Sequence, residues 1–107
     1  MKHIHTFENF LNESAGNQLA GKYDCSPLSD LEDWDEDSSD ECIKWKNDTV
    51  KGGKLGTRNE DEIYAANKNY LEGDGNWDKL LTELKRTNTK HEIFSDDDDD
   101  YVLFSNK

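Results

Sequence analysis

The chain has 107 residues and a net charge of −12, from 25 acids against 13 bases; 32% of residues are apolar and 36% charged. That length supports one small domain, whose core must draw on 3 Trp, 4 Tyr and 4 Phe, each able to bury roughly 150–250 Å². The charge argues against direct contact with nucleic acid or an anionic membrane surface and favours a basic partner.

No run of about 18 apolar residues is present, so no membrane-spanning segment is expected, and the N-terminal stretch lacks the unbroken apolar run of a signal peptide. Cys25 and Cys42 lie far apart with no CxxC pair and are expected as reduced thiols.

In chain order, residues 4–12 read as a short amphipathic helix. Ile4, Phe7 and the Phe10/Leu11 pair fall on one face, Thr6 is a cap and Glu8 suits the first turn. Residues 15–26 begin with small, polar, glycine-punctuated positions and read as a linker or loop. Ser26-Pro27 is a helix-start signal, followed by Leu28, Leu31 and Trp34 as a short apolar stripe. For residues 42–50, alternation of Ile43 and Trp45 with Lys44 and Lys46, then the turn pair Asn47-Asp48, favours a hairpin with Trp45 opposite Val50. The rival is a helix capped by Ser38, with Glu41 completing a capping box.

Residues 60–72 read as a helix carrying Ile63, Ala66 and Tyr70 on one face, ended at Gly73-Asp74-Gly75. Asn76 then caps the clearest helix, with Trp77, Leu80, Leu81 and Leu84 at i, i+3, i+4 and i+7. HEIFS (91–95) and YVLFS (101–105) read as two strands joined by an acidic turn. The expected fold class is a small single α+β domain with short helices and one or two β-hairpins. It divides into a leader-like segment (1–14), a linker (15–26) and an acidic domain (27–107).

Residues suited to catalysis are sparse. His3 and His5 lack a third convergent ligand, so no metal site is expected. Asp33 to Asp37 begin like a calcium loop, but Ser38 stands where glycine is needed and Lys44 where glutamate is needed. Lys51-Gly52-Gly53-Lys54 lacks the spacing and following hydroxyl of a phosphate cradle and reads as a mobile loop. With no nucleophile motif, no enzyme and no cofactor are expected.

The charge runs remain. Eight of the twelve residues 30–41 are acidic: Asp30, Glu32, Asp33, Asp35, Glu36, Asp37, Asp40 and Glu41. Asp96, Asp97, Asp98, Asp99 and Asp100 form a second run. Such runs are usually solvated faces or disordered tails. Here the stripe Leu28, Leu31 and Trp34 would fix the first run to a surface, and the flanking strands would hold the second at a hairpin tip. Carboxylates repeating at ~5–7 Å on a helix or strand approach the phosphate spacing of ~3.4 Å per strand of duplex DNA. A groove lined with Lys and Arg would take such a surface in place of nucleic acid. Trp34, Trp45 and Tyr101 are candidate anchors, because interface hot spots favour aromatics.

The opening Phe7-Glu8-Asn9-Phe10 core, closed by Leu11-Asn12-Glu13, resembles the capsid-targeting leader on internal head proteins of large myovirus-type tailed phages. The resemblance covers about an eighth of the chain. It implies a phage source and a protease cut between Glu13 and Ser14. The combined expectation is a phage-encoded inhibitor, with no cofactor, acting in the host cytoplasm on a basic nucleic-acid-handling defence protein such as a restriction or CRISPR effector. Delivery from the virion fits this expectation. An internal head protein packaged by its leader is the alternative. A third reading is a small adaptor docking through the apolar face of the 77–84 helix.

Overall fold

The computed structural model describes residues 14–31, 39–71, 75–97 and 100–106. The expected helix at 4–12 and the acidic stretch 32–38, with the Trp34 end of its apolar stripe, lie outside the described residues. The fold is α+β. Three helices, α1 (Ala15–Tyr23), α2 (Asp40–Lys51) and α3 (Asn76–Arg86), pack on a four-stranded antiparallel sheet. Its strands are β1 (Ser26–Pro27), β2 (Ile63–Asn67), β3 (His91–Ser95) and β4 (Asp100–Ser105), in the order β1-β2-β4-β3. β2 and β3 each run antiparallel to β4 and therefore parallel to one another. α3 lies in the connection between them and β4 is inserted between the pair, a split βαβ arrangement.

The sheet is covered on both faces. Tyr64, Ala66, Val102 and Phe104 meet Leu19, Ala20 and Tyr23 of α1 and Trp77, Leu80 and Leu84 of α3. Ile63, Ala65 and Leu103 meet Cys42 and Val50 of α2, with Leu28 and Leu55 closing the margin. β4 is the shared wall, with Val102, Leu103 and Phe104 all at 0% exposure. Full burial of side chains this size contributes about 1.5–3 kcal/mol each. The β3–β4 hairpin matches the sequence expectation, and so does α3 except at its start, where Gly75 at φ 71° is the cap residue and Asn76 is the first residue of the helix. α3 ends in a Schellman turn: Asn88 adopts φ 57°, Thr89 N–H donates to the Leu84 carbonyl at 2.9 Å and Asn88 N–H to that of Lys85 at 3.1 Å.

Elsewhere the sequence expectations need correction. Residues 15–26 are no linker, because α1 occupies Ala15–Tyr23 and buries Gly16, Leu19, Ala20 and Tyr23. Ser14 caps it, accepting from Asn17 N–H at 3.2 Å and donating to the Asn106 carbonyl. The compact domain therefore includes residues 14–26 rather than starting at 27. Ser26-Pro27 begins no α-helix. It pairs with β2, and Leu28–Asp30 is a single 3-10 turn.

Residues 42–50 form the body of α2 rather than a hairpin. Cys42, Lys46, Thr49 and Val50 share a buried helical face, and the capping hydroxyl belongs to Ser39, not Ser38. The Lys51–Lys54 stretch is the end of that helix. Gly53 sits at φ 66°, and Lys54 N–H closes on the Thr49 carbonyl at 3.2 Å. Residues 60–72 are not one helix but a 3-10 turn (Glu60–Glu62), β2 and a single helical turn (Lys68–Leu71). Ile63 and Ala66, expected on one helical face, lie on opposite faces of the sheet. Pairing with β4 across five residues overrides the local helical signal.

Candidate protein-binding face

Ser39 fixes the entry to α2. Its hydroxyl accepts from Cys42 N–H at 3.2 Å, which places Asp40 and Glu41 in the first helical turn. Carboxylates suit that position because the unpaired N–H groups there carry positive partial charge. Both side chains are exposed. The same hydroxyl donates to Asp96 Oδ2 at 3.3 Å, at the exit of β3. The last two acids of the first run and the first of the second, remote in sequence, thus meet at one serine. Asp40 and Glu41 stand beside the hairpin tip that carries Asp96, Asp97 and Asp100. Asp100 is partly offset by Lys68, 3.8 Å away, a half-exposed pair of small energetic weight.

A ring cluster underlies this junction. Trp45 projects from α2 onto Phe94 of β3, with centroids 5.3 Å apart and an interplanar angle of 33°. Phe94 is registered opposite Tyr101 on β4. All three are half-buried and pack on the α2 side of the sheet. Their tilted, offset geometry is a favourable one for aromatic pairs, and their burial holds α2 and the hairpin in fixed relation. The anchors Trp45 and Tyr101 are therefore structural as well as partly accessible.

Asp30 is placed elsewhere. Its turn packs beside Glu60–Glu62, ahead of β2. β2 begins opposite Ser105, whereas the acidic tip adjoins Asp100 at the other end of β4. Five strand steps of ~3.4 Å separate those ends, so Asp30 lies about 17 Å along the sheet from the tip. It joins Glu60, Asp61 and Glu62 in a second acidic patch that the sequence reading missed as a site. Glu32, Asp33, Trp34, Asp35, Glu36 and Asp37, with Asp98, Asp99 and Glu13, lie outside the described residues. Ser14, the other half of the expected cleavage point, is the cap of α1.

A further cluster went unseen. Tyr23 of α1 donates to Glu83 Oε2 of α3 at 2.5 Å, and Lys22 Nζ lies 3.2 Å from the same carboxylate. Burial, then the bond to Glu83 and its charge, push the Tyr23 phenol up to about 12. The Tyr23 bond holds the Glu83 carboxyl below its usual range against partial desolvation, helped by Lys22 and Arg86. These residues are about sixty positions apart, and no local pattern joins them. The cluster clamps α1 and α3 together.

Cys25 and Cys42 are free thiols, half-buried and buried respectively. Burial, reinforced by Asp24, pushes the Cys25 thiol up to about 12, which leaves it protonated and a poor nucleophile at neutral pH. Among the described residues, no group of three or more His, Cys, Asp or Glu side chains is placed to hold a metal ion. No described helix is long and apolar enough to cross a membrane. The expected docking face on the 77–84 helix is not available, because Trp77, Leu80 and Leu84 are 8%, 0% and 0% exposed within the core. Compared with protein-family models, curated proteins and solved structures, the chain matches none.

Proposed function

We propose that the protein is a phage-encoded acidic inhibitor that occupies the nucleic-acid groove of a basic host defence protein. A restriction or CRISPR effector has the required chemistry. The observation that carries this reading is the Ser39–Asp96 contact, which joins the start of α2 to the hairpin tip. It brings Asp40 and Glu41, the described end of the first charge run, beside Asp96 and Asp97 of the second, over the Trp45–Phe94–Tyr101 ring cluster. Carboxylates displayed from a helix start and a strand end meet Lys and Arg with less backbone freedom to lose than those of a loose tail, which favours binding. The phage origin rests on the leader-like residues 7–13 alone.

The test is competitive capture. The immobilised protein is exposed to host lysate, and bound proteins are released with duplex DNA and then with salt. A nuclease or other nucleic-acid-binding protein should be captured, displaced by DNA, and lost when Asp40, Glu41, Asp96 and Asp97 are all changed to Lys. Retention by that variant, or indifference to competing DNA, sinks the proposal. An internal head protein is the second reading. It is favoured by one observation: a cut after Glu13 would leave all the described elements in place, with Ser14 still able to cap α1. Recovery from purified virions in a form beginning at Ser14 would support it.

A further inference from the structure

The longer of the two edge strands is β3, which pairs with β4 on one side and with no other described strand. Ser105 N–H donates to the Lys90 carbonyl at 3.0 Å, which makes Lys90 and Ser105 a hydrogen-bonded pair. Pairs alternate along an antiparallel ladder, so Glu92 and Phe94 also direct their backbone groups toward β4. The N–H and C=O groups of His91, Ile93 and Ser95 therefore point outward from the edge. Ile93 lies at the centre of this row, and at 44% it is the one exposed large hydrophobic among the described residues. Edge strands are commonly protected from pairing by a Lys or Pro at their centre. β3 has isoleucine there.

Charge is distributed asymmetrically along the same edge. The acidic tip, with Asp96 and the first turn of α2, lies at one end. Lys90 lies at the other, its ammonium beside Gly56 at the close of the α2 region. Lys51 and Arg58 are nearby, with Arg58 Nε donating to the Lys51 carbonyl at 2.9 Å. The edge is therefore basic at its start and acidic at its finish, and such a strand is complementary to its own antiparallel copy.

We infer that the protein associates with a second copy of itself by antiparallel pairing of β3 with β3 about a two-fold axis at Ile93. In that register Ile93 faces Ile93, His91 faces Ser95 and Glu92 faces Phe94. Lys90 of each copy faces Asp96 of the other, and no like charges stand opposite. Each outward-facing pair exchanges two backbone hydrogen bonds, so the three pairs give about six. The local charge match acts at contact distance. The net repulsion between two −12 chains acts at longer range, where screening over about 8 Å at physiological salt weakens it. This inference does not depend on the proposed inhibitory function.

Sedimentation equilibrium of the full chain, from ~10 μM to ~1 mM, reads it directly. The mass should rise from 12.4 kDa toward twice that value. Ile93→Lys and Lys90→Glu, both at exposed positions, should each raise the dissociation constant by about tenfold or more while the circular dichroism spectrum is unchanged. Lys90→Glu combined with Asp96→Lys should recover most of that loss. Amide exchange at His91, Ile93 and Ser95 should slow as concentration rises. A mass that stays at 12.4 kDa throughout overturns the inference and leaves the edge to an extended segment of another protein. A dimer indifferent to Ile93→Lys, or one that the charge exchange fails to restore, overturns the pairing geometry.

Discussion

Two glycines in α1 offer a test in which ordinary helix propensity and tertiary contact predict opposite signs. Replacing a helical Gly by Ala in solvent stabilises by roughly 0.5–1 kcal/mol, because the backbone loses less freedom on folding. Gly21 meets that condition, since a Cβ there would have no heavy atom within 4 Å. Gly16 does not. Its Cβ would overlap the Ser105 carbonyl oxygen and stand 2.9 Å from both the Ser105 carbonyl carbon and Asn106 Cα. Comfortable carbon contacts are ~3.5–4.0 Å, so α1 must retreat from the end of β4 by a large fraction of an ångström. That movement strains the Ser14 hydrogen bond to the Asn106 carbonyl and loosens Leu19 and Ala20 against the sheet.

Overpacking of this kind costs about 1–3 kcal/mol. Gly16→Ala should therefore destabilise by about 1–3 kcal/mol, and Gly21→Ala should stabilise by up to about 1 kcal/mol. At roughly 4 °C or more per kcal/mol for a domain of this size, the two variants should melt at least about 6 °C apart. Urea unfolding followed by tryptophan fluorescence gives the free energies and thermal denaturation the midpoints. A Gly16→Ala protein as stable as Gly21→Ala would refute the close packing of α1 on β4.

Further outcomes follow from other buried groups. The Thr49 hydroxyl is fully buried in α2, with no hydrogen-bond partner among the described residues, so Thr49→Val should raise the urea midpoint by the equivalent of about 1 kcal/mol. A fall would show that the hydroxyl is bonded. Tyr23 is held protonated in the fold, so its contribution is complete below its ordinary value of 10.0 and declines as pH rises toward about 12. Glu83 acts in the opposite sense. Its contribution is present above the usual carboxylate range and is lost as acid carries the pH down through its lowered value. Unfolding free energy measured against pH should show both losses. Tyr23→Phe should abolish the alkaline one and cost about 1 kcal/mol at neutral pH. Cys25 should react slowly with thiol reagents in the native protein at neutral pH and quickly after denaturation; rapid native labelling would contradict its raised value.

What the sequence revealed followed burial geometry. α3 is buried along one stripe, so Trp77, Leu80 and Leu84 announce it by spacing alone. β3 and β4 are aromatic and β-branched enough to stand out beside an acidic turn. β2 is covered on both faces, which removes the alternation that marks a half-exposed strand. What remained, Ile63, Ala66 and Tyr70, coincided with helical spacing. In α2 the buried set includes Lys46 and Thr49, polar residues that hid the stripe, while Asn47-Asp48 imitated a turn. Local pattern exposed both acidic runs at the site but not their meeting, because the Ser39–Asp96 contact spans 57 residues and depends on how α2 crosses the sheet.

The position of β4 also governs how the molecule comes apart. One short strand supplies Val102 and Phe104 to one core and Leu103 to the other. Neither core is complete without it, so the two layers are thermodynamically linked rather than independent lobes. Release of β4 would expose both at once, and loss of either helical layer would uncover one of the two faces on which β4 is packed. The acidic face, anchored by Phe94 and Tyr101 to this strand and its neighbour, thus shares its lifetime with the opposite side of the molecule. A weakened contact between α1 and α3 would raise the rate at which the acidic face itself is lost, without touching a single carboxylate.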